Sequence, residues 1–281
     1  MAYLRPDKLD DALDWLAAEQ PLVMAGCTDI YPTRHTPTLD GPLLDITAID
    51  ELRGIEMKDG WRRFGAATSW REILQTPLPA SYAMLKQASR EIGAVQIQNS
   101  GTIGGNLCTA SPAADSVPCL MALDAEIELS SVRGRRRLEL AKFLTGARQT
   151  ALAPDELVVA IHVPEKAETG VSAFHKLGAR HYLVISIAMV AVRLAVDGGR
   201  ISVARIAVGA CAPVAVRLRE LEDALVGSDV KDAPELAREM LTVISSSLSP
   251  IADVRASAEY RHRAAAEISQ RVIADLCSKV S

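Results

Sequence analysis

The sequence predicts an α+β fold. Its strand-like runs are short, its hairpin turns recur, and its helices fall between them without the even strand–helix alternation of a doubly wound sheet.

Residues 6–20 read as a helix, with Leu9, Ala12, Leu13 and Leu16 at helical spacing and Asp10, Asp11 and Asp14 off that face. Residues 22–24 and 43–46 read as short strands. Residues 55–57 and 62–65 flank Lys58, Asp59 and Gly60, a hairpin signal. Ser69 followed three residues later by Glu72 is a capping-box pattern that opens a short helix, and residues 80–91 form another. Residues 96–106 are polar and glycine-rich between two helices, and residues 115–123 are apolar and helical. Residues 126–131 and 135–138 pair around Gly134, and residues 157–163 form a strand ending at Pro164. A charged, turn-rich connector spans residues 164–170, so the domain boundary falls near residue 165, giving domains 1–165 and 170–281. Beyond it, residues 185–196 and 201–208 make a hairpin across Asp197, Gly198 and Gly199. Residues 216–226, 234–247 and 257–280 read as helices.

Composition narrows the function. The 281 residues are 49% apolar, enough for a sizeable core without a disulfide or metal staple. A net charge of -4 and 4% aromatic residues offer neither the electrostatic footprint nor the stacking surface of a nucleic-acid binder. The longest apolar run, residues 182–192, is interrupted by Ser186 and is shorter than the roughly 20 residues of a membrane span. The first residues lack the apolar core of an export signal, which favours the cytoplasm. Cys27, Cys108, Cys119, Cys211 and Cys277 are odd in number, scattered and free of any CxxC pair, which reads as small buried thiols in a reducing compartment. No two of His35, His162, His175, His181 and His262 lie four apart on a helix, so no metal site is expected. GxGxxG, GxxxxGK[ST], GxSxG and HExxH are all absent.

Two glycine loops remain. Ala25, Gly26, Cys27, Thr28 and Asp29 follow a strand directly, and Gly101, Thr102, Ile103, Gly104, Gly105 and Asn106 form the second loop. Glycine lets amides approach a ligand without a Cβ in the way, and successive amides make a nest for an anion. With no lysine or arginine in either loop, the phosphates of a dinucleotide would meet backbone dipoles. Spacing alone fits two ordinary tight turns as well. Asp115 could accept from a ribose or cap the helix that starts there, and both can hold at once. The basic turn from Arg133 to Arg137 is a solvated hairpin or a surface for an acidic partner.

Residues 25–29 resemble an AGGTD loop, and residues 96–115 resemble QIRNxGTIGGNxxxASPxxD. These strings are similar to the FAD-binding medium subunit of the molybdenum hydroxylases, the group that includes xanthine dehydrogenase and aerobic carbon monoxide dehydrogenase. Residues 174–180, 204–209, 212–213 and 250–261 resemble the C-terminal domain of the same subunits. The resemblance implies a vanillyl-alcohol-oxidase-type (PCMH-type) FAD-binding domain in two subdomains. A small C-terminal domain of antiparallel sheet plus helices would follow it.

Carried over, the first FAD diphosphate loop falls on Ala25, Gly26, Cys27, Thr28 and Asp29, flanked by Met24 and Ile30. The second falls on Thr102, Ile103, Gly104, Gly105 and Asn106. Asp115 matches the ribose aspartate, Val158 an apolar position near adenine, and Ile92 and Lys176 positions lining the flavin. Cys27 stands where a second glycine is usual, and a Cβ there disfavours φ > 0. Val184, with Tyr182 two residues away, stands where a tyrosine covers the flavin in some members.

The family role is electron transfer. It implies molybdopterin on a large partner subunit, two [2Fe–2S] clusters on a small one, and a dimer of heterotrimers. The final acceptor, NAD, a quinone or oxygen, is not selected by any motif. No catalytic residue of this chain is implied, because the redox chemistry belongs to the cofactor. The alternatives are a non-catalytic scaffold of the same fold and a stand-alone flavin oxidoreductase.

Overall fold

The computed structural model describes residues 2–33 and 38–280, so His35 lies outside the described residues. The chain forms two compact units whose segments interleave. The first comprises Met1–Thr76, Ala94–Ala110 and Ala125–Val163, the second Pro77–Gly93, Ser111–Asp124 and Pro164–Ser281.

In the first unit, β1 (Tyr3–Leu4), β2 (Leu22–Met24) and β3 (Leu43–Asp45) form a parallel sheet in the order β1-β3-β2. The Leu9–Glu19 helix buries Leu9, Ala12, Leu13 and Leu16 in one cluster with Leu44, Ile46 and Val159. The strands β4 (Ile55–Lys58), β5 (Trp61–Gly65), β6 (Glu126–Ser131) and β7 (Gly134–Glu139) make two hairpins. β8 (Leu144–Gly146) and β9 (Gln149–Thr150) pair separately, a small hairpin that periodicity did not reveal. β10 (Leu157–Pro164) lies between the two larger hairpins in the order β4-β5-β10-β6-β7.

The basic turn is neutralised inside this unit. Arg133 reaches Asp155 at 2.6 Å, Arg135 reaches Glu51 at 2.6 Å and Glu128 at 3.1 Å, and Arg136 grips both oxygens of Glu156. Arg137 lies 5.4 Å from the centroid of the Trp61 ring. The turn therefore offers no block of unpaired charge to an acidic partner. His162 Nε2 lies 2.6 Å from Glu128 Oε2, and that hydrogen bond, with help from Arg135, holds the Glu128 carboxyl down at about 2.

In the second unit, β11 (Val171–Leu177), β12 (Ala188–Asp197), β13 (Arg200–Gly209) and β14 (Val216–Arg217) form an antiparallel sheet in that order. Gly198 and Gly199 take φ of 55° and 78° in the β12–β13 turn, the left-handed pair that a two-residue hairpin requires. Val190, Val192 and Leu194 enter one core cluster with residues of the Ala258–Val280 helix. On the alternate face, Arg193 Nε donates to Ala122 O at 3.0 Å, and Arg217 donates to Met121 O at 3.0 Å and to Asp124 at 2.8 Å. These guanidiniums satisfy the carbonyl end of the Ser116–Ala122 helix and so fix the element that begins beside Asp115.

Several expectations of local structure are corrected. Residues 96–106 are mostly helical, in the Val95–Ser100 and Ile103–Thr109 helices, with a break at Gly101 and Thr102. Tertiary bonds, not propensity, seat that break: Trp70 N donates to Gly101 O at 3.2 Å and Ile103 N to Thr68 O at 3.0 Å. Residues 216–226 open as β14 before the Arg219–Leu225 helix, and residues 234–247 split at Met240 into Ala233–Glu239 and Leu241–Ser246. β12 starts at Ala188, three residues later than expected from residue 185, and β11 is a strand that no expectation covered.

Candidate functional site

The first glycine loop leaves β2 as a bend of half-buried residues. The amides of Gly26, Cys27, Thr28 and Asp29 donate to no acceptor among the described residues. Four successive donors without partners among the described residues, in a half-buried bend, would be costly unless a ligand or solvent meets them, and successive amides of this kind are what an anion nest requires. Cys27 holds φ 57°, the left-handed region that a glycine would enter freely. Its Sγ lies 3.5 Å from Ala25 O, and burial pushes its thiol up. Met24 ends β2 and Ile30 follows Asp29 in the same half-buried run.

The second loop lies against the first. A Cβ on Gly26 would stand 1.9 Å from Ser100 O and 2.9 Å from Gly101 Cα, so only glycine permits this approach. A Cβ on Gly101 would stand 3.3 Å from Thr28 Oγ1. Most amides of the second loop are already engaged. Ile103 N donates to Thr68 O, Gly104 N to Ala66 O, Gly105 N to Thr102 Oγ1 at 3.1 Å and Asn106 N to Thr102 O. Ile103 and Gly104 are buried, and a Cβ on Gly104 would meet Ala66 at 2.7 Å, so both seat the loop. Gly105 is exposed, and its nearest neighbour is the Thr102 hydroxyl.

Two partners that sequence reasoning missed converge on Asp29. Thr109 Oγ1 donates to Asp29 Oδ2 at 3.1 Å, and Arg148 donates to the same oxygen at 2.9 Å. Arg148 lies 119 residues away in the chain, and no motif marked it. Val158 sits on β10 in the same unit and is 5% exposed.

The second unit holds the remaining candidates. Asp115 stands at the N-cap of the Ser116–Ala122 helix, yet its side chain makes no cap bond. Instead Lys176 Nζ donates to Oδ2 at 2.6 Å and Ser186 Oγ to Oδ1 at 2.6 Å. Burial pushes the Asp115 carboxyl up, and the Lys176 ammonium and Ser186 hydroxyl pull it back. Ile92 ends the Ala83–Glu91 helix. A cavity of about 460 Å³ opens beside Lys176, lined also by Gln87, Arg90, Glu91, Phe174 and Arg180.

The donor set fits an anionic diphosphate: four successive amides without an acceptor among the described residues, a close approach at Gly26 that any Cβ would block, and an exposed Gly105 in the second loop. Among the described residues no group of three or more His, Cys, Asp and Glu side chains could hold a metal ion, and no helix is long and apolar enough to cross a membrane.

Residues 1–166 match the family model of the FAD binding domain in molybdopterin dehydrogenase, and residues 172–276 match the CO dehydrogenase flavoprotein C-terminal domain. The chain is 33% identical over 277 residues to the nicotine 6-hydroxylase medium subunit of Paenarthrobacter nicotinovorans, covering 97% of this chain and 96% of that one. It is 31% identical over 283 residues to the xanthine dehydrogenase FAD-binding subunit of an Escherichia coli strain, covering 98% and 95%. Its structure is similar to a chain of carbon monoxide dehydrogenase from Hydrogenophaga pseudoflava, with a TM-score of 0.89 and 27% identity, covering 99% of this chain and 97% of that one.

Proposed function

The chain belongs to the FAD-binding subunits of the molybdenum hydroxylases, and from that premise we propose that it is the electron-transfer flavoprotein of a heteromeric oxidoreductase. The redox chemistry is supplied by bound FAD, which would relay electrons from the [2Fe–2S] clusters of a small partner subunit to a terminal acceptor. Molybdopterin and substrate oxidation would belong to a large partner subunit, in a dimer of heterotrimers; the names medium subunit and medium chain among the relatives support a larger and a smaller partner. Cys119, Cys211 and Cys277 are buried as expected, whereas Cys108 is exposed and Cys27 half-buried; all five are free, which supports a reducing compartment, the cytoplasm.

The observation that carries the reading is the row of amides from Gly26 to Asp29, without an acceptor among the described residues, beside Gly101. These amides would take the diphosphate, with Met24 and Ile30 shaping the ends of the bend. Ile103 and Gly104 would hold the second loop at contact distance, Gly105 would leave its face open, and Thr102 and Asn106 would add side-chain polarity. Asp115, held at both oxygens by Lys176 and Ser186, keeps a further acceptor site on each oxygen for a ribose hydroxyl. Val158 would meet adenine, and Ile92 and Lys176 would line the flavin. The protein purified with its partners should show a flavin absorption spectrum and release FAD, one per chain, on denaturation. Stoichiometric FMN, or no flavin after reconstitution, would overturn the reading.

A further inference from the structure

We propose that Arg148 is a positioning residue of the FAD site, the counter-ion that stops Asp29 from opposing the diphosphate. The inference rests on the FAD reading and goes beyond it to a residue outside both glycine-loop strings. Asp29 supplies the last of the four amides that have no acceptor among the described residues, and the same residue carries a carboxylate a side chain's length from that amide. A carboxylate there repels the anion that the amides attract. Arg148 lies 2.9 Å from that carboxylate, and Thr109 adds a hydroxyl at 3.1 Å on the same oxygen.

The backbone is built to deliver the guanidinium. Arg148 sits in the tight β8–β9 turn at φ 60°, and its own amide donates to Ala110 O at 2.8 Å. Ala110, just past the Ile103–Thr109 helix, is itself left-handed at φ 46°. With Cys27 at φ 57°, three left-handed non-glycine residues lie on the segments that this contact joins. Strained backbone of this kind persists where the surrounding structure holds it for a purpose. Neutralising Asp29 supplies one: the nest keeps its full dipole while the neighbouring charge is cancelled in place.

The test is FAD affinity, read by flavin fluorescence on the purified full chain, for the wild type, Arg148→Ala, Arg148→Lys, Asp29→Asn and the Arg148→Ala/Asp29→Asn double variant. Arg148→Ala should weaken FAD about tenfold at low salt, a loss that shrinks as ionic strength rises. Arg148→Lys should stay within about threefold of wild type, because charge rather than fork geometry is needed. Asp29→Asn should bind at least as well as wild type. The double variant should recover to near wild type, since the unpaired charge is gone. Unchanged affinity in Arg148→Ala, a tenfold loss in Asp29→Asn, or a double variant as weak as Arg148→Ala would each overturn the proposal. Should Arg148→Ala fail to fold, by the thermal midpoint of the ligand-free chain, the Asp29→Asn and Arg148→Lys results still decide. A wild-type chain that does not take up FAD at all would instead overturn the FAD reading itself.

Discussion

In the first glycine loop the amides from Gly26 to Asp29 have no acceptor among the described residues, whereas in the second those from Ile103 to Asn106 donate to Thr68, Ala66 and Thr102. The first loop leaves a strand and bends through a left-handed Cys27. The second starts a helix, and its leading amides are satisfied by the Thr102 cap, by the Ser69–Thr102 bridge and by the Ala66 carbonyl. Two glycine-rich strings of similar look therefore have different jobs: one presents donors, the other supplies a seated surface at contact distance. Glycine serves approach in both, of backbone to backbone at Gly26 and of loop to Ala66 at Gly104.

The largest expected effect comes from breaking the apposition of the loops. Gly26→Ala drives a Cβ onto the Ser100 carbonyl, a backbone atom that has no rotamer to change. Overpacking of this kind costs roughly 1–3 kcal/mol, which would push the loops apart and weaken FAD roughly tenfold to a hundredfold. Equilibrium titration of the variant with FAD measures it, and an affinity equal to wild type would dissolve the comparison. A smaller effect is expected at the second loop. Thr102→Ala removes the acceptor of the Gly105 amide and should cost about 1 kcal/mol in urea unfolding, with less loss of FAD than Gly26→Ala. A greater loss than in Gly26→Ala would assign the grip to the second loop. The smallest belongs to Cys27→Gly. Relief of the left-handed strain and the added entropy of the unfolded chain nearly cancel, so stability should move by less than about 1 kcal/mol, with FAD affinity within about twofold. A marked loss of FAD would show that the thiol, against Ala25 O, holds the bend.

Much of this protein was written locally. The Leu9–Glu19 helix, the Ser69–Glu72 capping box and the β12–β13 hairpin follow from apolar spacing, a cap pattern and two glycines, each a short-range rule that neighbours in the chain satisfy. The AGGTD-like and TIGGN-like strings likewise marked both glycine loops. What the string could not show is which amides stay free, because that depends on acceptors from Ala66 and Thr68, which only the fold brings to the second loop. The same holds for the partners of Asp29 and Asp115. Arg148, Thr109, Lys176 and Ser186 come from 61 to 119 residues away, and charge pairing over such distances carries no local periodicity. Residue types and short spacings thus marked many of the elements and the family. Chain crossings decided which donors and charges remain for a ligand, since a hydrogen bond is settled by whatever acceptor folding places within about 3 Å.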